Sequence, residues 1–585
     1  MKVLMTGNEA VARGAFEAGC HIATGYPGTP STEILENLSQ YKEVHSQWSP
    51  NEKVAAEIAA GASAVGARTI ITMKVVGLNV AMDPLMTAAY LGVRGGMVFI
   101  VADDPGCSSS QTEQDNRLIA KFAKIPLLEP SDSQECKDFM RYAFEISEQF
   151  DVPVMLRMTT RVCHSKSVVE LGARTEVPIK DYEKTQKYCS NPESARRNHA
   201  RLEEMLQRLE EYSNICPLNR IEWGDKAVGI ITSGVSYQHA REVFGEAASY
   251  LKLGLSHCPP RKLIREFCNQ VNKVIVIEEN EPMLEDTVRL MGIPCIGKDH
   301  IPTLYDLTPQ ILRKAILRQE APAAATVDEE LPPRPAVLCA GCPHRSIFYA
   351  VSKQKNAVAA NDIGCYTLGM VAPLNVTDTI FCMGAGISAG LGMDHCFRLS
   401  GQDKKVFGFI GDSTFFHSGI TSLMDAVWNK SNIAVCILDN RTTAMTGHQE
   451  NPGTGYTLMG EEAPMMDIET IVRAVGVAGD HIRTVDAYDL EAVTAAVADA
   501  AASDGVFVII SKQPCALLKS VQKQRAGLKC RINPERCKNC KACMRIGCPA
   551  VTYRDGQIAI DTASCNGCTL CKQVCKFGAI ESEGM

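Results

Sequence analysis

Residues 411–447 read GDSTFFHSGITSLMDAVWNKSNIAVCILDNRTTAMTG, and this stretch decides the fold. The apolar run 406–410 ahead of it has the length of a buried strand and ends at Gly411-Asp412-Ser413. Helical spacing over 419–428 then puts Ile420, Leu423, Met424 and Val427 on one face. A second apolar run, 433–438, ends at Asp439-Asn440. In such a βαβ unit Asp412 and Asn440 both stand at strand carboxyl ends, the edge where open α/β sheets bind ligands. A carboxylate and an amide oxygen are hard donors suited to Mg²⁺, which takes few protein ligands and leaves its other positions to phosphate and water. The plain alternative is an ordinary βαβ unit whose strands happen to end in Asp and Asn.

The chain around this unit has 585 residues, too many for one core. A hydrophobic content of 45% with 22% charged residues describes a globular protein, and a net charge of −7 argues against nucleic-acid binding. No window is long and apolar enough for a membrane span, and the N-terminus lacks the core of a signal peptide. A cytoplasmic protein is therefore expected. There are 25 cysteines, which in that compartment stay reduced.

Residues 1–180 read as one α/β domain. An early helix over 9–18 leads to a short strand at 21–24 and then to Gly25-Tyr26-Pro27-Gly28-Thr29-Pro30-Ser31. There Thr29 is expected to cap a helix with Pro30 at its first position. Such a helix start suits a carboxylate ligand, and plain capping is the alternative. The small-residue helix at 51–63 carries Glu52 in its first turn, where the helix dipole alone favours an acid. Strand 69–73, the segment Gly77-Leu78-Asn79-Val80, helix 83–91 and strand 97–101 follow. Lys74 can either meet a substrate carboxylate or carry its charge out to solvent. Residues 181–225 are polar, and 194–212 read as an exposed or partner-facing helix. A further α/β segment spans 226–318, a Pro/Ala/Glu-rich linker 319–335, and the domain holding the opening motif 336–526. Within it, Cys339-x-x-Cys342 has no second pair nearby at zinc spacing.

Several of these motifs, in this order, are similar to the thiamine-diphosphate-dependent 2-oxoacid:ferredoxin oxidoreductases. GYPGTPSTEI, NEKVAAEIAAGASAVGAR and VGLNVAMDPLM resemble the family's pyrimidine-binding domain, and the MKVVGLNV form resembles the large (alpha) subunits of its indolepyruvate branch. CAGCPHR, DIGC, MGAGISAG, GDS with its Asn440, and GHQ resemble the diphosphate-binding domain. The segment 226–318 resembles the family's transketolase C-terminal-like domain. The resemblance implies Glu52 as the cofactor-activating glutamate and Thr29 as the substrate-facing threonine. It implies Asp412, Asn440 and the Thr442 carbonyl as Mg²⁺ ligands. Gly364, Cys365, Gly384, Gly386, Gly411, Ser413 and Thr446 are expected to line the cofactor.

In the tail, 527–585, two cysteine runs follow in tandem. They are Cys537, Cys540, Cys543 and Cys548, then Cys565, Cys568, Cys571 and Cys575. They resemble a bacterial two-cluster ferredoxin, in which the fourth cysteine of each run ligates the other cluster. That resemblance implies one [4Fe–4S] cluster on Cys537, Cys540, Cys543 and Cys575, and another on Cys548, Cys565, Cys568 and Cys571. Zinc is the alternative. The first run has four residues before Cys548 where three are usual, and Lys576 stands where the pattern has Pro, so ligation by Cys548 stays open. Cys530 lies just outside and is read as a non-ligand.

The expected architecture is α/β, with several parallel-sheet domains of the thiamine-diphosphate type and a small C-terminal two-cluster ferredoxin domain. The resemblance implies oxidative decarboxylation of aryl 2-oxo acids of the indolepyruvate and phenylpyruvate type to acyl-CoA and CO₂. Coenzyme A is the co-substrate and ferredoxin the electron acceptor. It also implies a beta subunit carrying the gamma-type domain, in an alpha2beta2 assembly, with no nucleic acid or membrane. Whether one chain or two supply the thiamine site stays open. So do pyruvate or 2-oxoglutarate as substrates, release of an aldehyde without coenzyme A, and a role as an electron-transfer scaffold.

Overall fold

The computed structural model describes residues 1–320 and 335–584, so 321–334 of the expected linker lie outside the described residues. The chain divides into two units, Met1–Glu329 and Glu330–Met585. Among the described residues no helix is long and apolar enough to cross a membrane.

The first unit is built on a seven-stranded sheet. Its order is Leu255–His257, Leu127–Leu128, Val154–Thr159, Met97–Asp103, Thr69–Lys74, Ile22–Gly25 and His45–Trp48, all parallel except the first pair. Every residue of Met97–Asp103 and Val154–Thr159 is buried, as expected of parallel strands covered on both faces. The helix Gly7–Glu17 starts with a reciprocal cap between Thr6 and Glu9. A four-stranded sheet follows in the order Val274–Ile277, Gly229–Ser233, Ser249–Leu253, Asn219–Glu222, the last antiparallel.

Two elements differ from the expectations. The helix Pro192–Ser213 is not an exposed arm: Leu202, Met205 and Leu209 are buried, and Arg201 donates to the carbonyls of Ala89 and Tyr90. Its buried stripe, Ser194, Asn198, Leu202, Met205, Leu209 and Ser213, carries no charged residue. The Thr29 cap is also absent. The helix is Thr32–Leu38, preceded by Ser31, with no side-chain cap. Instead Gly28 N–H donates to Thr32 Oγ1 at 2.9 Å and Ser31 Oγ donates to the Gly28 carbonyl at 2.8 Å. These bonds close a turn that delays the helix past Pro30.

Several charged side chains buried in this unit are paired. Arg117, 1% exposed, meets Asp115 at 2.6 Å and Glu278 at 2.7 Å. Arg157 meets Asp103 at 2.6 Å and Glu129 at 2.9 Å. Lys252, wholly buried, meets Glu135.

The second unit holds a six-stranded, all-parallel sheet in the order Thr379–Ile380, Ala357–Asn361, Lys405–Gly411, Ile433–Asp439, Phe507–Lys512, Ile482–Asp486. Phe348, Phe407 and Phe409 pack on one face, and Ile410, Leu423 and Ile437 on the other. The tail follows as two antiparallel pairs, Lys529–Ile532 with Ile580–Glu583 and Val551–Arg554 with Gln557–Ile560.

Candidate functional site

Asp412 and Asn440 follow directly on Lys405–Gly411 and Ile433–Asp439, two neighbouring strands. Their carboxyl ends are thereby side by side. The Asn440 side-chain amide lies 3.1 Å from Asp412 Oδ1 and 2.7 Å from the Thr442 carbonyl oxygen, and in the bare protein its Nδ2 donates to both. A bound cation would instead take the amide turned over, with Oδ1 inward. All three residues are buried. Burial, and then the nearby Asp439 carboxylate, pushes Asp412 up to about 7. Asn451 Nδ2 donates to its Oδ2 at 3.3 Å, and the backbone N–H groups of Ser413 and Thr442 also favour its charged form. With the Asn440 oxygen turned inward, the three residues offer an all-oxygen donor set with one carboxylate, which fits Mg²⁺ carrying a diphosphate.

Helical turns run from Asp412 itself, Asp412–Thr414, through a wide π turn at Phe415–Gly419, to Ile420–Trp428. This is earlier than the expected start at 419, and π turns often mark functional positions. Gly384 takes φ +90°, and a Cβ there would lie 1.8 Å from Ser418 Oγ. Its N–H donates to Asp362 Oδ1 at 2.7 Å. Asp362 Oδ2 is buried without a partner, and burial pushes this carboxyl up to about 7. Gly386 sits against the Phe409 carbonyl, 2.1 Å from where a Cβ would be. Ser413 Oγ accepts from Thr443 Oγ1 at 2.9 Å, and Thr446 Oγ1 donates to Gln449 Oε1 at 2.6 Å.

Beside Asn440 lies a cavity lined by Cys339, Cys342, Cys365 and Cys515, with His344 and His448. Burial pushes Cys342 up to about 12 and Cys365 up to about 11. Two further cavities lie in the tail. One is lined by Cys537, Cys540, Cys543 and Cys575; the other by Cys548, Cys565, Cys568 and Cys571. Among the described residues no three His, Cys, Asp or Glu side chains converge closely enough for a single metal ion. Four thiols around a space, rather than meeting at a point, fit a polynuclear cluster better than a tetrahedral zinc. Cys530 lines the second tail cavity too, and its N–H donates to Cys565 Sγ at 3.3 Å.

In the first unit Glu52 is the first residue of the helix Glu52–Ala64, capped by Asn51. Glu52 is buried, 5% exposed, and Gly77 packs against it, so a Cβ at Gly77 would be 2.5 Å from Glu52 Oε1. It is not the solvated helix-start acid that local propensity suggests. Lys74 does not run free to solvent. Its Nζ donates to the Ser109 carbonyl at 2.7 Å, and burial lowers its pKa against the pull of Asp104 and Glu52. Ser109 Oγ donates to the Thr29 carbonyl at 3.1 Å, so both residues border one loop.

Residues 362–511 match the model of the thiamine pyrophosphate enzyme C-terminal TPP-binding domain. Residues 13–216 match that of the thiamine-diphosphate-binding domain of pyruvate flavodoxin/ferredoxin oxidoreductases. Indolepyruvate oxidoreductase subunit IorA of Methanothermobacter thermautotrophicus is 40% identical, covering 100% of this chain and 98% of its own length. The chain belongs to the IorA family. The subunits of that name from Pyrococcus horikoshii and Archaeoglobus fulgidus are likewise 40% identical, each over 99% of this chain and 97% of their own length. The chain is thus an oxidoreductase subunit with α/β thiamine-diphosphate-binding domains.

In this IorA-family chain, the expected residues of 336–526 gather at one sheet edge. The Cys339-x-x-Cys342 pair and the DIGC segment are visible in the sequence, but the grouping with Cys515 is not, because that residue comes from a loop far along the chain. Asp362 is likewise not singled out by the sequence reading. The signal for it was an acid directly after an apolar strand, at the same edge as Asp412.

Proposed function

We propose that the chain is the thiamine-diphosphate-binding alpha subunit of an enzyme that oxidatively decarboxylates aryl 2-oxo acids, of the indolepyruvate and phenylpyruvate type. The products are CO₂ and an acyl-CoA, and the electrons leave through [4Fe–4S] clusters to ferredoxin. The observation that best supports this is the pairing, at one sheet edge, of an all-oxygen donor set with a four-cysteine cavity, Asn440 bordering both. Such a pairing serves a reaction that both removes a carboxylate and exports electrons.

Asp412, Asn440 and the Thr442 carbonyl hold Mg²⁺ in this reading. Gly364, Cys365, Gly384, Gly386, Gly411, Ser413 and Thr446 border the cofactor. Glu52 holds a proton at the aminopyrimidine ring, its burial keeping water from competing for that bond. Thr29 faces the substrate. Thiamine diphosphate, when bound, supplies the electron sink that a 2-oxo acid needs to lose CO₂. The two tail cavities hold one cluster each, with Cys548 as a ligand. Cys339, Cys342, Cys365 and Cys515 hold a third, closest to where the electrons arise. A beta subunit completes an alpha2beta2 assembly in the cytoplasm.

The test is anaerobic viologen reduction by the chain with its partner subunit, with and without coenzyme A. Reduction with indolepyruvate and phenylpyruvate, dependent on coenzyme A, is expected. Reduction mainly with pyruvate or 2-oxoglutarate would overturn the aryl substrate. Aldehyde formed without coenzyme A would overturn the thioester product. No reduction by a fully loaded enzyme would leave the chain an electron-transfer scaffold.

A further inference from the structure

Arg345, the first residue of the helix Arg345–Val351, is 1% exposed. Its Nη1 donates to the carbonyls of Ile546 (3.3 Å) and Gly547, and its Nη2 to those of Leu338 and Cys339 (2.8 Å). The guanidinium therefore bridges the Cys339–Cys342 loop and the turn just before Cys548. It also lines the cavity of Cys548, Cys565, Cys568 and Cys571. Gly341, between the two regions, packs directly on Asn566, and its carbonyl accepts from Tyr488 Oη at 2.7 Å.

What sets Arg345 apart is its lack of a counter-charge. Among the described residues no carboxylate pairs with it, and its buried Nε has no hydrogen-bond partner. The buried arginines of the first unit each have two carboxylates. A buried cation whose only partners are carbonyls is costly unless an anion stands nearby. Cavities lined with cysteines lie on both sides of it, and thiolate-bound iron–sulfur clusters are anionic.

Resting on the cluster reading above, we infer that Arg345 is the counter-charge and positioning residue of the cluster on Cys548, Cys565, Cys568 and Cys571. It raises that cluster's reduction potential and so makes it the favoured acceptor for electrons arriving from the Cys339–Cys342 side. The step is a one-electron reduction: one electron and one unit of negative charge are added, and no bond forms or breaks. Electrons come from the 2-oxo acid in turnover, or from dithionite in a titration. A fixed guanidinium beside the site stabilises the more negative, reduced form.

The test is an anaerobic redox titration followed by electron paramagnetic resonance, with iron and sulfide content measured in parallel. It compares the wild-type chain with Arg345→Gln, Arg345→Met, Arg345→Lys and Arg531→Gln. Arg531 is exposed and paired with Glu583, one residue from Cys530. In a neutral variant that keeps its iron, one cluster is expected to become harder to reduce by roughly tenfold in equilibrium constant, about 59 mV for one electron. Arg345→Lys and Arg531→Gln are expected to leave all potentials in place. Unchanged potentials in an iron-replete neutral variant would overturn the inference. If neither neutral variant holds iron, recovery of iron by Arg345→Lys, which keeps the charge but not the four-carbonyl fork, supports it. Failure of the lysine variant as well assigns the effect to the fork and overturns it. A wild-type chain with no [4Fe–4S] signal would instead overturn the cluster reading, and the inference with it.

Discussion

The two units differ in how far their buried cations are closed off. In the first, Arg117, Arg157 and Lys252 each meet carboxylates, although one nitrogen of Arg157 stays bare. In the second, Asp394 and Asp439 are paired with Arg398 and Arg441, but among the described residues Arg345 meets carbonyls and no carboxylate, Asp362 keeps a bare oxygen, and burial pushes Asp412 up to about 7. A closed pair holds the fold together, and removing one partner strands the other in a poor solvent. An open charge is a standing cost to the bare protein, repaid only when something binds. Burial alone does not separate structural from functional charge; the state of its partners does.

Substitutions can break this contrast from either side. The largest effect is expected for Asp412→Ala. If Asp412 is the Mg²⁺ ligand proposed above, its loss should lower kcat/KM roughly a thousandfold or more. The thermal midpoint of the cofactor-free protein should hold or rise, since a carboxylate whose charge burial disfavours is gone. Arg117→Met should do the reverse, destabilising the first unit by about 3 kcal/mol by stranding Asp115 and Glu278. Limited proteolysis of residues 1–329 reads that out.

Acid sharpens the contrast next. Burial would raise Glu135, but Lys252 and Arg220 overcome it and hold its carboxyl at about 2. Its folded-state pKa is below the unfolded value, so its stabilisation is present above about pH 4.5 and lost as pH falls toward 2. Burial also lowers Lys252, so about 2 kcal/mol is expected rather than the full shift. The thermal midpoint should fall over that window in the wild type and change less in Glu135→Gln. The smallest effect is expected for Thr446→Val. It removes one hydrogen bond to Gln449, worth about 1 kcal/mol, and should lower thiamine diphosphate affinity less than tenfold by calorimetry.

The legible parts of the molecule were those whose chemistry is local in the chain. Asp412 and Asn440 end two consecutive apolar runs, so one βαβ unit exposes both. The tail cysteines recur at short intervals, and each set implied by the ferredoxin resemblance lines one tail cavity, with Cys530 joining the second. Less legible were features made by tertiary packing. Cys515 joins Cys339, Cys342 and Cys365 only because the sheet brings their loops together. Glu52 reads as an exposed helix start until Gly77 is seen against it. The Thr29 cap failed because the hydroxyls of Ser31 and Thr32 turn back on Gly28. The helix Pro192–Ser213 reads as polar because its buried stripe is narrow.

One measurement tests the central claim most directly. The thermal midpoint of the anaerobically purified protein is followed as Mg²⁺ and thiamine diphosphate are added, for the wild type and for Asp412→Ala. Binding to the folded state alone stabilises it by RT ln(1 + [L]/Kd). A midpoint that climbs with concentration in the wild type and stays flat in Asp412→Ala is the predicted result. An equal climb in both proteins would contradict the claim that the open charge at Asp412 is where the cofactor is held.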